Sequence, residues 1–148
     1  MIREATIEDV PAIAAMGEEF HRQAGWSDIF DYVEADCAKS IEGLIPNESF
    51  ICLVAETDKI VGMAAGVVSP VYFNHSHVSG EELFWWVADD APQMAGIRLL
   101  GALEDAGRAK GCTSWQMKSL AKLGGDRMSK LYERRGYRAS ENSFIKRL

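Results

Sequence analysis

Residues 82–88, Glu-Leu-Phe-Trp-Trp-Val-Ala, place bulky apolar side chains at consecutive positions. Neighbouring side chains on a strand point to opposite faces, so this segment is apolar on both. It fits only a central strand covered on either side. Trp85 and Trp86 then face different layers, and at least one belongs in the core. The loop Asp89-Asp90-Ala91-Pro92 leads into helical spacing over 95–110. There Leu99, Leu100, Leu103 and Ala106 make a buried stripe, and Gly111 is the natural C-terminal stop. Gly101 and Gly107 inside that pattern weaken the helix. Residues 112–118 read as the next strand, which makes 82–118 a right-handed parallel crossover.

The rest of the chain is arranged around this unit. Residues 1–5 form a short strand, and Thr6 with Asp9 is an acidic capping box opening a helix over about 7–23. Pro11 is tolerated only near a first turn, so the helix proper can begin a residue or two later. A second helix spans about 31–44 and stops at Pro46. The apolar runs 49–56 and 60–71 flank Thr57-Asp58-Lys59 and read as a β-hairpin. Gly62 and Gly66 mark a bulge or a close backbone approach. Residues 72–80 read as a loop, 126–135 as a helix ended by Gly136, and 137–140 with 143–148 as a terminal hairpin. The order is β-α-α-β-β-β-α-β-α-β-β, a mixed α/β (α+β) sheet protein.

At 148 residues the chain is one domain, 1–148, large enough to bury a core. A net charge of −6 lacks the electrostatic footprint of a nucleic-acid binder. Cys37, Cys52 and Cys112 are odd in number and have no CxxC spacing, which disfavours a disulfide framework or zinc site and suits a reducing cytosol. No apolar leader or membrane-length run is present, so a soluble cytoplasmic protein is expected. His75 and His77 would share a face if extended, but two ligands are too few for a metal, and they read as loop or substrate-pocket lining.

Two segments carry chemical information. A strand feeding a short loop into a helix near Gly96 presents unpaired N–H groups and a positive dipole end, which bind phosphate. Near the C-terminus stands Lys130-Leu-Tyr-Glu-Arg-Arg-Gly-Tyr137. Together with the element order, these segments make the chain resemble the GNAT superfamily of N-acetyltransferases over nearly its whole length. The family's late motif, Tyr four residues before a Gly-aromatic pair, is matched by Tyr132, Gly136 and Tyr137. Its signature Q/R-x-x-G-x-G/A is matched imperfectly, in two registers. Gln93-Met-Ala-Gly96 fits Q-x-x-G with Arg98 in a small-residue position. Alternatively Gly96 is the last small residue, with Met94 and Ala91 at the earlier positions, which places Leu99 and Leu100 at the usual spacing. The second register suits the buried face of the helix.

The resemblance implies acetyl transfer from acetyl-CoA, without metal, to a primary amine that attacks directly in a ternary complex. It implies that strands 82–88 and 112–118 splay apart to admit the pantetheine arm. In that reading Trp86, Val87, Ala88, Gln93, Met94, Ala95, Gly96, Ile97, Arg98, Arg127 and Lys130 contact the co-substrate. Tyr132 protonates the departing sulfur, and Glu81 or Glu82 is the general base. Phe20, Trp26, Phe30 and Tyr32, near the first helix–helix connection, line a site for a small-molecule or peptide amine. Homodimers are common in the family. The rival reading is a non-catalytic domain of the same fold that binds CoA or a peptide.

Overall fold

The computed structural model describes residues 1–148. Its elements are β1 (Ile2–Glu4), α1 (Val10–Ala24), α2 (Glu34–Leu44), β2 (Phe50–Glu56), β3 (Ile60–Val71), β4 (Asn74–Val87), α3 (Ala95–Ala109), β5 (Ser114–Gln116) and α4 (Gly125–Arg134). One five-stranded sheet runs β1-β2-β3-β4-β5. The first four strands are antiparallel neighbours, and β5 joins β4 in parallel. The architecture is the mixed α/β class expected.

Residues Ile7–Asp9 form a single tight turn before α1, with Thr6 extended at its start. The Asp9 carboxylate reaches back to the Thr6 N–H at 2.8 Å and grips Arg3 of β1 at 2.7 Å. Pro11 lies in the first turn of α1, where its missing N–H costs nothing. Gly25, at φ 75, ends that helix in the left-handed region.

Two apolar layers flank the sheet. On one face Val10, Ile13, Phe20 and Ile41 from α1 and α2 pack on Phe50, Val54 and Met63, with Phe84 and Trp86 joining. On the other, Leu99 and Leu103 of α3 pack on Leu53, Val61 and Ala64, with Trp85, Val87 and Trp115 joining. The two tryptophans of β4 thus divide between the layers. No helix is long and apolar enough to cross a membrane.

Three expectations need correction. The segment 72–80 is strand rather than loop for most of its length: β3 and β4 turn at Tyr72 and Phe73, and Val71 pairs with Asn74. Its polar residues hide the pattern because this end of the ribbon is exposed on both faces. The second helix begins at Glu34, three residues later than expected. Residues 137–148 form no terminal hairpin. Strands this short persist only by burying a face, and Phe144 and Leu148 lie fully in solvent. The last two strands of the expected order are therefore missing.

Candidate functional site

The parallel pair β4–β5 is short. It joins Ser79 to Ser114, Gly80 to Trp115 and Glu81 to Gln116, and then stops. β4 continues to Val87 without that partner, so the sheet forks after Glu81. Gly66 pairs with Glu82 and Ala65 with Phe84, which leaves Leu83 as an extra residue in a bulge at the fork. Beyond it the Ala88 N–H donates to the Val61 carbonyl at 2.9 Å. Antiparallel alternation then turns the N–H and C=O of Trp85 and Val87 the other way, toward the side β5 has vacated. No backbone group pairs with them there.

The fork is held by side chains. The Lys118 N–H, which would have continued the ladder, donates instead to the Glu82 carboxylate at 2.8 Å. The Lys118 carbonyl accepts from the Tyr132 hydroxyl of α4, also at 2.8 Å. Glu82 is 6% exposed, and burial pushes its carboxyl up to about 7. Burial also raises the Tyr132 phenol, helped by the nearby Glu82 charge. Tyr132 packs beside Trp85 and Tyr137, with ring centroids 6.2 and 5.5 Å away. Glu81 is exposed and pairs with the Lys118 ammonium at 3.0 Å.

At the end of β4 the chain turns into α3. The Ala95 N–H is taken by Pro92 and the Arg98 N–H by Met94. Between them the Gly96 and Ile97 amides have no backbone acceptor, as helix starts dictate. The Trp85 indole N–H donates to the Gly96 carbonyl at 3.0 Å and pins this first turn to the strand. Leu99 and Leu100 are both fully buried. Gln93, Met94 and Arg98 are exposed around the turn, and Arg127 and Lys130 are exposed on α4.

The four aromatic residues of the first helical connection take different places. Phe20 is buried in the core, edge-on to Trp26 at 5.5 Å. The Tyr32 hydroxyl is bound to the Ala14 carbonyl at 2.6 Å. Phe30 is exposed and, with Glu18, His21, Asp31 and Tyr32, lines a cleft of about 320 Å³. His77 lies against Thr113 on the exposed ribbon, with Nδ1 3.2 Å from the hydroxyl.

Two residues at the site carried no sequence signal. Lys118 holds Glu82 and Tyr132 through its amide and carbonyl, which any residue type carries, and only its pairing with Glu81 uses the ammonium. Gln23 of α1 accepts the Trp86 indole N–H at 3.0 Å and ties the α1 layer to the open part of β4.

No family model matches the chain, and no curated protein matches it. Solved structures do. A probable acetyltransferase superposes with a TM-score of 0.78 at 17% identity, covering 100% of this chain and 96% of that one. A predicted acetyltransferase with acetyl-CoA from Clostridium acetobutylicum gives 0.77 at 14% identity, over 99% of this chain and 94% of that one. This is the GNAT acetyltransferase fold. A transcriptional regulator from Bacillus halodurans C-125 shares it, with a TM-score of 0.79 at 17% identity and coverage of 100% and 99%. In this chain the fork sits between the first turn of α3 and the face of α4 that carries Tyr132.

Proposed function

We propose that this chain is an acetyl-CoA-dependent N-acetyltransferase acting on a primary amine in a ternary complex. The observation that carries the reading is the fork. The free amides and carbonyls of Trp85 and Val87 open beside the free amides of Gly96 and Ile97. Acetyl-CoA supplies an acetyl thioester, from which a neutral amine displaces the thiolate as C–N forms and C–S breaks.

This chain's residues suit each part. Trp85 and Val87 would pair with an extended amide arm as a strand edge does. Trp86, Val87 and Ala88 flank that arm. Gly96 and Ile97, at the positive end of α3, would hold the pyrophosphate, with Gln93, Met94, Ala95 and Arg98 around it. Arg127 and Lys130 offer charge for the outer phosphate. Glu82, with its carboxyl near 7, suits removal of the amine proton at neutral pH. Glu81 is engaged by Lys118 and exposed, so we assign the base to Glu82. Tyr132 stays protonated at neutral pH and would give its proton to the leaving sulfur, releasing the Lys118 carbonyl. Phe30 and the cleft beside it, rather than the buried Phe20, are offered to the acceptor.

Acetyl-CoA should raise the unfolding temperature, and an amine panel should elicit release of free thiol. No thermal shift with acetyl-CoA or CoA refutes the reading. A shift without thiol release from any amine supports the rival non-catalytic binder. One observation favours that rival, namely that the Tyr132 hydroxyl is already committed to Lys118.

A further inference from the structure

β5 has three residues and one neighbouring strand, so its ladder alone holds it weakly. Ser114 and Gln116 face solvent, and only Trp115 turns inward. Its indole lies against three glycines from three elements. A Cβ built on Gly80 of β4 would meet the ring at 2.1 Å, one on Gly107 of α3 at 2.6 Å and one on Gly66 of β3 at 2.7 Å. None of the three has a positive φ, so any residue could adopt these backbones. Glycine is there for space, which this ring fills at Gly80 and Gly107 and shares at Gly66 with the Glu81 carbonyl, 2.8 Å from the same Cβ. The indole N–H ends on the Met117 sulfur at 3.2 Å, which also fixes the next turn of chain. One residue past Trp115 the pairing with β4 stops.

We infer that Trp115 is a positioning residue that sets where and at what angle β5 leaves β4, and hence the width of the fork. The inference rests on the acetyl-CoA reading above and deepens it. A ring seated in a rigid three-sided slot tolerates no sliding, because close-packed interiors transmit small volume changes. β5 is therefore held at Trp115, and the fork opens from a defined place after Gln116. Trp115 need not touch the thioester to act.

The experiment is acetyl-CoA titration by calorimetry, with kinetics where an acceptor is known. Wild type must bind first; if it does not, the acetyl-CoA reading fails and this inference falls with it. Given binding, Trp115→Leu should weaken acetyl-CoA by at least about tenfold, and Trp115→Phe by less. Gly107→Ala pushes on the same ring from α3 and should weaken binding too. Gly101→Ala in the same helix meets only Arg135 Nη2, at 3.6 Å, and should leave affinity unchanged. In the Trp115→Leu background, Gly107→Ala should have no further effect, because the ring it displaces is gone. The change should appear in KM for acetyl-CoA with kcat largely kept, a split that global destabilisation does not produce. If Trp115→Leu does not fold, Trp115→Phe and Gly107→Ala carry the test. Folded variants that bind like wild type, or equal and additive losses from Gly101→Ala and Gly107→Ala, overturn the inference.

Discussion

The Glu82 carboxylate and the Tyr132 hydroxyl both bind Lys118, one at its amide and the other at its carbonyl, each at 2.8 Å. The two groups that suit base and acid roles thus share one residue of the segment that follows β5. Neither can be altered without disturbing the support of the other.

Tyr132→Phe removes the hydroxyl and keeps the ring against Trp85 and Tyr137. The expected loss of turnover is at least about a hundredfold, because general acid catalysis contributes on that order. Loss of the bond to Lys118 should cost about 1 kcal/mol of stability. Steady-state thiol release and denaturant unfolding measure the two effects separately. Unchanged turnover would remove Tyr132 from the mechanism.

Glu82 links activity and stability to pH with opposite signs. Its carboxyl is raised from the ordinary 4.5 to about 7 by burial. Folding therefore favours the protonated form. As pH rises from about 4.5 to about 7 the unfolded chain ionises first, and stability contributed by this group falls. Activity should rise over the upper part of that window as the base ionises. Glu82→Gln should flatten both profiles, which unfolding scans and pH–rate curves would reveal. A wild-type rate that is flat between pH 5.5 and 8 (roughly one to two units either side of the shifted value) argues against Glu82 as base.

Asp9 behaves the other way. Its bond to Arg3 holds the carboxyl down at about 2, below the ordinary 3.8. That stabilisation is complete above the unfolded value and disappears as pH falls through the folded one. Asp9→Ala should destabilise the protein by about 1–2 kcal/mol at neutral pH, as loss of a helix cap does. The difference from wild type should shrink toward pH 2. Acid titration of both proteins by circular dichroism checks the sign.

Gly96 tests the phosphate turn. A Cβ there would sit 3.6 Å from the Trp85 ring, an ordinary contact, so Gly96→Ala should bind CoA nearly as well as wild type. Gly96→Glu sets a carboxylate beside the free amides and should weaken CoA by at least about tenfold. Equal affinities for all three proteins would move the phosphate site elsewhere.

What the sequence revealed follows from how local each signal is. The strand 82–88 and the leucine stripe of α3 were legible because burial on one or both faces imposes a period. Thr6 with Asp9 and Gly111 were legible because caps use few residue types. The outer half of β4 was hidden because a ribbon wet on both sides has no hydrophobic alternation. The C-terminal segment was expected as a hairpin, yet residues 137–148 form no strand and Phe144 and Leu148 stay in solvent. At the candidate site, Tyr132 and the pair Glu81 and Glu82 were named from the family resemblance, and the choice between the two glutamates needed the structure. Lys118 could not be named, since the amide and carbonyl that bind Glu82 and Tyr132 are common to every residue type. Trp115 could be found only once three glycines distant in sequence came together around it.

Both margins of the sheet, β1 and β5, are strands of three residues. A stray polypeptide laid along either one finds too few amides to template on. The unsatisfied stretch of β4 that carries Trp85 and Val87 is as short, and it lies inside the fork rather than along a margin. The sheet therefore exposes no long row of amides on which a second chain could grow.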